Sequence, residues 1–252
     1  MEPAGLYGNP ELYSLLRPPA AELLPVVLDL ARRHLREPAE RVLDPACGPG
    51  DWLRLFGERG WALAGSDRSE PMVRAAAERL RPFGPELAVA DMRRLCFSRR
   101  NFDLAAEVSG AIAELPGSGA LAAHLHSVAR HLRPGGVYVF LALHAEEGLA
   151  TPAAGYRSPP VPAPGGGTAS LAYEYLRHDP ARGRVWVRRT VRLAPPPQRV
   201  VDRYVLRLDT PDSIRRAVQR VPGLACVEVL DGLPGEPDPG GVGERLVVVR
   251  RR

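Results

Sequence analysis

Between Arg41 and Leu143 short apolar runs alternate with amphipathic stretches, and this alternation restricts the fold more than any single motif does. The runs Arg41 to Asp44, Trp61 to Gly65, Glu86 to Ala90, Asn101 to Glu107 and Gly136 to Leu143 have the length and apolar character of strands. Between them, Asp51 to Arg59, Glu70 to Leu80 and Ala120 to Leu132 are predicted as helices. The last of these runs follows a turn, Arg133-Pro134-Gly135-Gly136. Upstream, Leu23, Leu24, Val27, Leu28, Ala31 and Leu35 share one face of a helix predicted over Pro18 to Arg36. Strands that alternate with helices form a parallel sheet covered on both faces. Ligands of such sheets bind beyond the carboxyl ends of the strands, where the strand order reverses.

Past Leu143 the pattern changes. The stretch TPAAGYRSPPVPAPGGG (151 to 167) reads as a mobile surface loop. Three extended segments follow, Ala169 to Arg177, Arg184 to Leu193 and Arg199 to Leu208, with Asp179-Pro180 and Gly183, then Pro195 to Pro197, as turns. In the second segment Val185, Val187, Val191 and Leu193 fall on one side, and Trp186, Arg188, Thr190 and Arg192 on the other. These segments form an antiparallel meander inserted into the α/β unit. Thr210-Pro211-Asp212-Ser213 opens a helix running to about Arg220, and Ala225 to Leu230 and Glu244 to Val249 are closing strands. The expected organisation is an N-terminal helical cap over 1–40 and an α/β body over 41–252, in which 145–209 are a loop and β insertion.

Composition removes several chemistries. The chain of 252 residues holds no lysine, so all 34 of its basic residues are arginine, and both Schiff-base chemistry and the lysine of a P-loop are excluded. Cys47, Cys96 and Cys226 are scattered, with neither a disulfide framework nor metal-ligand spacing, so no metal site is expected. The net charge of +5 comes from arginines spread along the chain, which reads as a solvated surface and makes nucleic acid an unexpected partner. No apolar stretch approaches the roughly 20 residues of a membrane helix, and no membrane association is expected. The first residues, MEPAGLYGNPELY, are acidic and polar, unlike a signal peptide, and a cytoplasmic location is expected. The oligomeric state, a homodimer included, is left open.

The motif that joins strand to helix is VLDPACGPGDW, residues 42 to 52. Gly48-Pro49-Gly50 lets backbone pass close to a ligand. A dinucleotide fingerprint needs a third glycine where this chain has Leu53, and a P-loop needs the missing lysine, so both phosphate readings weaken. Asp67 ends the second strand, where a carboxylate can take both hydroxyls of a ribose. Asp91-Met92 follows the third strand, where an acid can accept from an adenine amino group and a thioether can pack on the ring. Acids at the ends of three successive strands describe a nucleoside site without phosphates.

VLDPACGPG, then GSDRSEPMVRAA, VADMRRL, FDLAAEVSGAIAEL and LRPGGVYVF together resemble the successive motifs of class I S-adenosylmethionine-dependent methyltransferases of the small-molecule type, over roughly residues 41 to 143. The resemblance implies a Rossmann-like, mostly parallel seven-stranded sheet whose last strand, Glu244 to Val249, is antiparallel. It implies S-adenosylmethionine as cofactor, with Asp44, Ala46, Gly48 and Gly50 around its methionine part, Asp67 on the ribose, and Asp91 and Met92 flanking the adenine. Tyr13, Arg68, Met72 and Glu107 complete the implied donor-binding set, and Tyr7 and Tyr13 are candidates to cover the donor.

Glu107-Val108-Ser109-Gly110 departs from the motif of enzymes that methylate exocyclic base amines. The cap and the insertion, with Tyr173, Tyr175, Trp186 and Tyr204, are expected to roof the pocket, so a small-molecule amine or hydroxyl is the expected acceptor. RNA methylation and a non-catalytic donor-binding protein are the alternatives. His144 is a candidate general base, because a neutral imidazole takes a proton near pH 7. Glu107 either orients an amine acceptor or bonds a neighbouring loop. Cys47, in the crowded turn, reads as a small packed residue rather than a nucleophile.

Overall fold

The computed structural model describes residues 5–35, 38–146, 149, 151–163, 165–231, 233 and 241–252. A short 3-10 turn and helix α1 (Pro10–Leu16) precede α2 (Leu23–His34). Then come β1 (Arg41–Asp44), α3 (Asp51–Gly57), β2 (Ala62–Asp67), α4 (Glu70–Leu80), β3 (Glu86–Val89), β4 (Phe102–Glu107), α5 (Gly117–His131) and β5 (Leu132–Ala145). The insertion contributes β6 (Ala153–Arg157), β7 (Val161–Pro162), β8 (Thr168–Asp179), β9 (Arg184–Ala194) and β10 (Gln198–Arg207). Helix α6 (Pro211–Gln219) and strands β11 (Leu224–Asp231) and β12 (Val242–Arg251) follow.

The main sheet has seven strands in the order β11-β12-β5-β4-β1-β2-β3, parallel from β5 to β3 and antiparallel where β12 meets β5 and β11. This is the fold class expected from the alternation and the resemblance. Alternate strand residues supply two cores, because successive side chains of a strand point to opposite faces. Val42, Leu104, Val137, Val139, Leu246 and Val248 pack with α2, α3 and α4. Leu43, Ala105, Tyr138, Phe140, Val247 and Val249 pack with α5 and α6. Helix starts are capped as the sequence suggests: Thr210 Oγ1 accepts from Ser213 N at 3.1 Å, with Pro211 in the first turn. The turn at Arg133 to Gly136 lies inside the observed β5, as a break in register between the pairs Phe102–Leu132 and Leu104–Val137. No helix among the described residues is long and apolar enough to cross a membrane.

The expected surface loop over 151–167 is corrected by the structure. Its described part adds strands β6 and β7 to the edge of the meander, completing a five-stranded antiparallel sheet. The proline and glycine content is compatible with that edge because one side of an edge strand needs no partner. Gly155 lies against the ring of Tyr175, where a Cβ would come within 2.8 Å of it, and Ser158 exchanges hydrogen bonds with Leu171.

The cap divides between the two sheets. Leu6, Leu12 and Leu16 share a core with Ala169, Leu171 and Val191 of the meander, whereas α2 packs on the main sheet. The meander in turn shares Val185, Val187 and Leu208 with Val242 at the start of β12.

Candidate functional site

The glycine turn after β1 is built by its neighbours as much as by its own residues. Cys47 N donates to Ser66 O at 2.8 Å, Gly50 N to Cys47 O at 3.0 Å and Ala46 N to Asp44 Oδ1 at 3.0 Å. Gly48 (φ +52°) and Gly50 (φ +86°) occupy left-handed backbone that other residues rarely adopt, and a Cβ on Gly50 would lie 2.9 Å from Leu80 Cδ1. Leu53, which breaks the dinucleotide fingerprint, fills space against Gly65 together with Cys47: a Cβ on Gly65 would come within 2.6 Å of Leu53 and 2.9 Å of the Cys47 Sγ. Burial pushes the Cys47 thiol up, aided by Asp44 and Asp67, so it is a packed, protonated side chain.

Asp67 closes the turn from β2. Its Oδ2 accepts from Gly48 N at 3.0 Å and its Oδ1 from Ser69 N at 2.8 Å, which leaves a lone pair on each oxygen. Burial raises its pKa against the lowering effect of those two bonds. Asp91, after β3, is gripped by the Arg93 guanidinium and held at about 2. Met92 is placed from behind: His124 contacts Met92 O through Nδ1 (3.1 Å) and the Tyr138 hydroxyl through Nε2 (2.8 Å). Burial lowers His124 to about 4, so it is neutral, with Nδ1–H donating to the carbonyl and Nε2 accepting from the phenol.

A cavity of about 1400 Å³ opens over these strand ends. Ligand pockets usually enclose roughly 300–1,000 Å³, so the space accommodates more than one small molecule. Of the expected donor set, Tyr13, Ala46, Gly48, Asp67, Arg68, Met72, Asp91 and Met92 line it, as does Tyr7. Asp44, Gly50 and Glu107 do not. The Asp44 carboxylate is buried, with its pKa raised by burial, and supports Ala46 from beneath. Glu107 is fully buried, and its oxygens accept from Ser109 N, Ser109 Oγ, Ala111 N and Ile112 N. Of its two expected roles, the structure places it in the one that bonds the neighbouring loop.

The roof comes from the cap and the meander. Tyr173, Tyr175 and Tyr204 line the cavity as expected, and Tyr156 of β6 joins them. Trp186 is a correction: it points away from the cavity and stacks under Arg177 at 4.7 Å, because its position in β9 alternates with the inward valines. The inward position that interrupts those valines is Arg189, a buried arginine missed by the sequence reading. It pairs with Asp202 at 2.8 Å and lies over the rings of Tyr7 (4.6 Å) and Tyr204 (5.3 Å). Arg17 donates to the Tyr173 hydroxyl at 2.5 Å and to Ser109 O at 3.2 Å, tying cap, meander and β4 loop together. Ser14, Asp51 and Arg79 fasten α1 to the glycine turn. Burial pushes Tyr13 up to about 12, so it remains a phenol.

His144 lines the cavity with Nε2 3.0 Å from Glu146 Oε1, and its Nδ1 is buried without a hydrogen-bond partner among the described residues. Glu114 was not singled out beforehand. It ends a 3-10 turn (Ala111–Glu114) after β4, lines the cavity, and accepts the Tyr7 hydroxyl on Oε1.

A family model described as a methyltransferase domain matches residues 42–136. A curated relative, dTDP-3-amino-3,4,6-trideoxy-alpha-D-glucopyranose N,N-dimethyltransferase of Streptomyces venezuelae, is 34% identical over 115 residues, covering 45% of this chain and 46% of that one. The match therefore spans less than half of the curated relative. Among solved structures, Streptomyces venezuelae DesVI is similar with a TM-score of 0.73 and 27% identity, over 94% of each chain. The sugar N-methyltransferase KedS8 from Streptoalloteichus sp ATCC 53650 has a TM-score of 0.71 and 25% identity, over 92% of this chain and 88% of that one. The ordered motifs, the seven-stranded sheet and the acids on its carboxyl edge agree with these likenesses, and together they support a class I S-adenosylmethionine-dependent methyltransferase.

Proposed function

We propose that the protein is an enzyme that moves a methyl group from S-adenosylmethionine to the amine of a small molecule, with an amino sugar as the acceptor class. One observation carries this reading: a single cavity runs from the acid-bearing strand ends to a roof of tyrosines and holds space for both molecules. The donor fits the wall beneath. Gly48 and Ala46 present bare backbone, Asp67 keeps a lone pair on each oxygen for the ribose hydroxyls, and Asp91 with Met92 flanks the place for the adenine. The donor supplies a methyl group on a positively charged sulfur, which departs as a neutral thioether when a nucleophile's lone pair takes the carbon. That chemistry needs no covalent enzyme intermediate, consistent with an inert Cys47.

The chain's own contribution is alignment and exclusion of water. Tyr7 and Tyr13 cover the donor from the cap, and Ser69 Oγ donates to Tyr7 O at 2.8 Å, docking the cap on the β2 end. Residues 145–209 act as the lid of the acceptor half. His144 is the candidate to receive the proton the amine sheds, and Glu107 sets the loop after β4. An amine acceptor is favoured because the curated relative, an amino-sugar N,N-dimethyltransferase by name, matches over the motif region, and a solved sugar N-methyltransferase matches over nearly the whole fold. Two measurements test the reading. Calorimetry with S-adenosylhomocysteine should show binding, and the absence of binding at millimolar ligand would overturn the donor assignment. Labelled-methyl transfer to nucleotide-linked 3-amino sugars should exceed transfer to their 3-hydroxy counterparts, and the reverse order would overturn the acceptor class. For the proton acceptor, a His144→Ala enzyme with an unchanged pH profile would remove His144.

A further inference from the structure

Seven carboxylates of the described residues line the cavity; Glu22 is exposed, Glu244 is not without a partner, and the other five differ in what already holds them. Asp67 takes two backbone N–H groups, and Asp91 takes the Arg93 guanidinium. Glu146 faces His144 at 3.0 Å, and Asp231 faces Arg245 at 2.9 Å. Glu114 is different. Its Oε1 is used by the Tyr7 hydroxyl, while the cation nearest its Oε2, Arg68 Nη2, lies 3.9 Å away on a side chain that is 77% exposed. That separation is beyond hydrogen-bond distance, and a pair this exposed is worth little. Oε2 therefore keeps its lone pairs for something in the cavity.

The place of Glu114 matters as much as its open oxygen. It ends the 3-10 turn that Glu107 holds from beneath through Ala111 N and Ile112 N, so its backbone is fixed by a buried anchor. It lies within electrostatic reach of Asp67 on the donor wall and of Tyr204 on the roof. Between a donor on that wall and an acceptor under that roof is the point where the methyl group changes hands. A carboxylate oxygen only accepts hydrogen bonds, so its ligand must bring an N–H or O–H. An amine brings one while its lone pair faces the methyl group, and it gains positive charge as the bond forms. A fixed carboxylate stabilises that developing charge.

We propose that Glu114 is the amine-recognition residue of the acceptor subsite: its Oε2 accepts a hydrogen bond from the acceptor amine and balances the charge growing on the nitrogen. This rests on the donor reading above and assigns the amine preference to one side chain. The test needs no knowledge of the natural acceptor. Sinefungin is a donor analogue that carries a primary amine where the donor carries its methyl group, and S-adenosylhomocysteine has nothing there. Wild type should bind sinefungin more tightly than S-adenosylhomocysteine. Glu114→Gln should weaken sinefungin by about tenfold or more, the scale of a hydrogen bond to a charged group, while S-adenosylhomocysteine changes by less than about threefold. Glu114→Asp, which retains the charge at a shorter reach, should recover part of the sinefungin preference. Asp67→Asn should weaken both ligands together, because both carry the ribose.

An unchanged sinefungin preference in Glu114→Gln would overturn the proposal. So would an equal loss of both ligands, which would make Glu114 a latch for the cap through Tyr7. Wild type that binds S-adenosylhomocysteine without preferring sinefungin would also overturn it. Failure of wild type to bind S-adenosylhomocysteine is a separate result that removes the donor reading itself.

Discussion

Replacement of Asp67 separates the proposed ribose contact from a structural one, because each carboxylate oxygen holds a backbone N–H and keeps a lone pair for the proposed ligand. One lone pair on Oδ2 takes Gly48 N–H at 3.0 Å and one on Oδ1 takes Ser69 N–H at 2.8 Å. Two lone pairs are left for two ribose hydroxyls. Asp67→Ala removes both ligand bonds. At about 1.5 kcal/mol for each bond to a charged acceptor, the loss is about 3 kcal/mol, or roughly 150-fold in affinity. Stability of the free protein responds less. Two backbone N–H groups lose their partner, but the cost of holding a charge in a buried place disappears with the side chain, a cost visible in the raised pKa. Asp67→Asn is informative in a different way. Its amide must turn an NH₂ toward either Gly48 N–H or Ser69 N–H, donor against donor, so it loses one structural and one ligand bond and falls between wild type and alanine. The pH dependence has a definite sign. A raised carboxyl pKa adds to stability below the ordinary value of 3.8 and loses that contribution as pH rises through the folded value. Donor affinity runs the other way, falling as acidification protonates the carboxylate above the usual aspartate range. Calorimetry with S-adenosylhomocysteine from pH 8 downward, with urea unfolding of the free protein, reads both quantities. Unchanged affinity in Asp67→Ala would refute the ribose assignment, and an equal loss of stability and affinity would make Asp67 only a brace for the turn.

Three further changes probe the scaffold. His124→Leu leaves the buried Tyr138 hydroxyl and the partly buried Met92 carbonyl without their partner, which should cost about 2–3 kcal/mol in urea unfolding, and adding Tyr138→Phe should return more than half of it. Because burial keeps His124 neutral down to about 4, its contribution is complete above pH 6.5 and is lost as pH falls toward about 4, a slope that His124→Leu should flatten. Gly65→Ala drives a methyl group against Leu53 and Cys47 at 2.6 and 2.9 Å; unfolding should show a loss of about 1–3 kcal/mol. Asp91 should stay ionised down to about 2, its contribution present above 3.8 and lost as pH falls, so donor binding at pH 5 should owe nothing to its titration.

The main sheet was legible because its central parallel strands are buried on both faces and read as mostly apolar runs, as Val42 and Leu43 do, while the edge strand β3 is only partly buried. The acids at strand ends were legible for a related reason: once a strand is placed, its last residue lies on the ligand edge. Position on that edge does not fix what a carboxylate does there. Glu107 ends its strand as Asp67 does, yet its oxygens turn back to four donors of its own loop. Glu114, seven residues on and outside any strand, lines the cavity, and the cation nearest its Oε2 is 3.9 Å away. Spacing in sequence could not rank the two, because the ranking depends on where nearby N–H groups point. The meander hid its functional residues differently. Alternation correctly assigned the valines of β9 to one side, and the same alternation required Arg189 to point inward among them. A charge at an inward position has to find partners. Asp202 and the rings of Tyr7 and Tyr204 provide them, which couples the N-terminal cap to the meander across the cavity. A misfit in a periodic pattern was therefore a second sequence signal pointing to the roof, beside the tyrosines: Tyr173, Tyr175 and Tyr204 line the cavity, whereas Trp186 fits the pattern and lies outside.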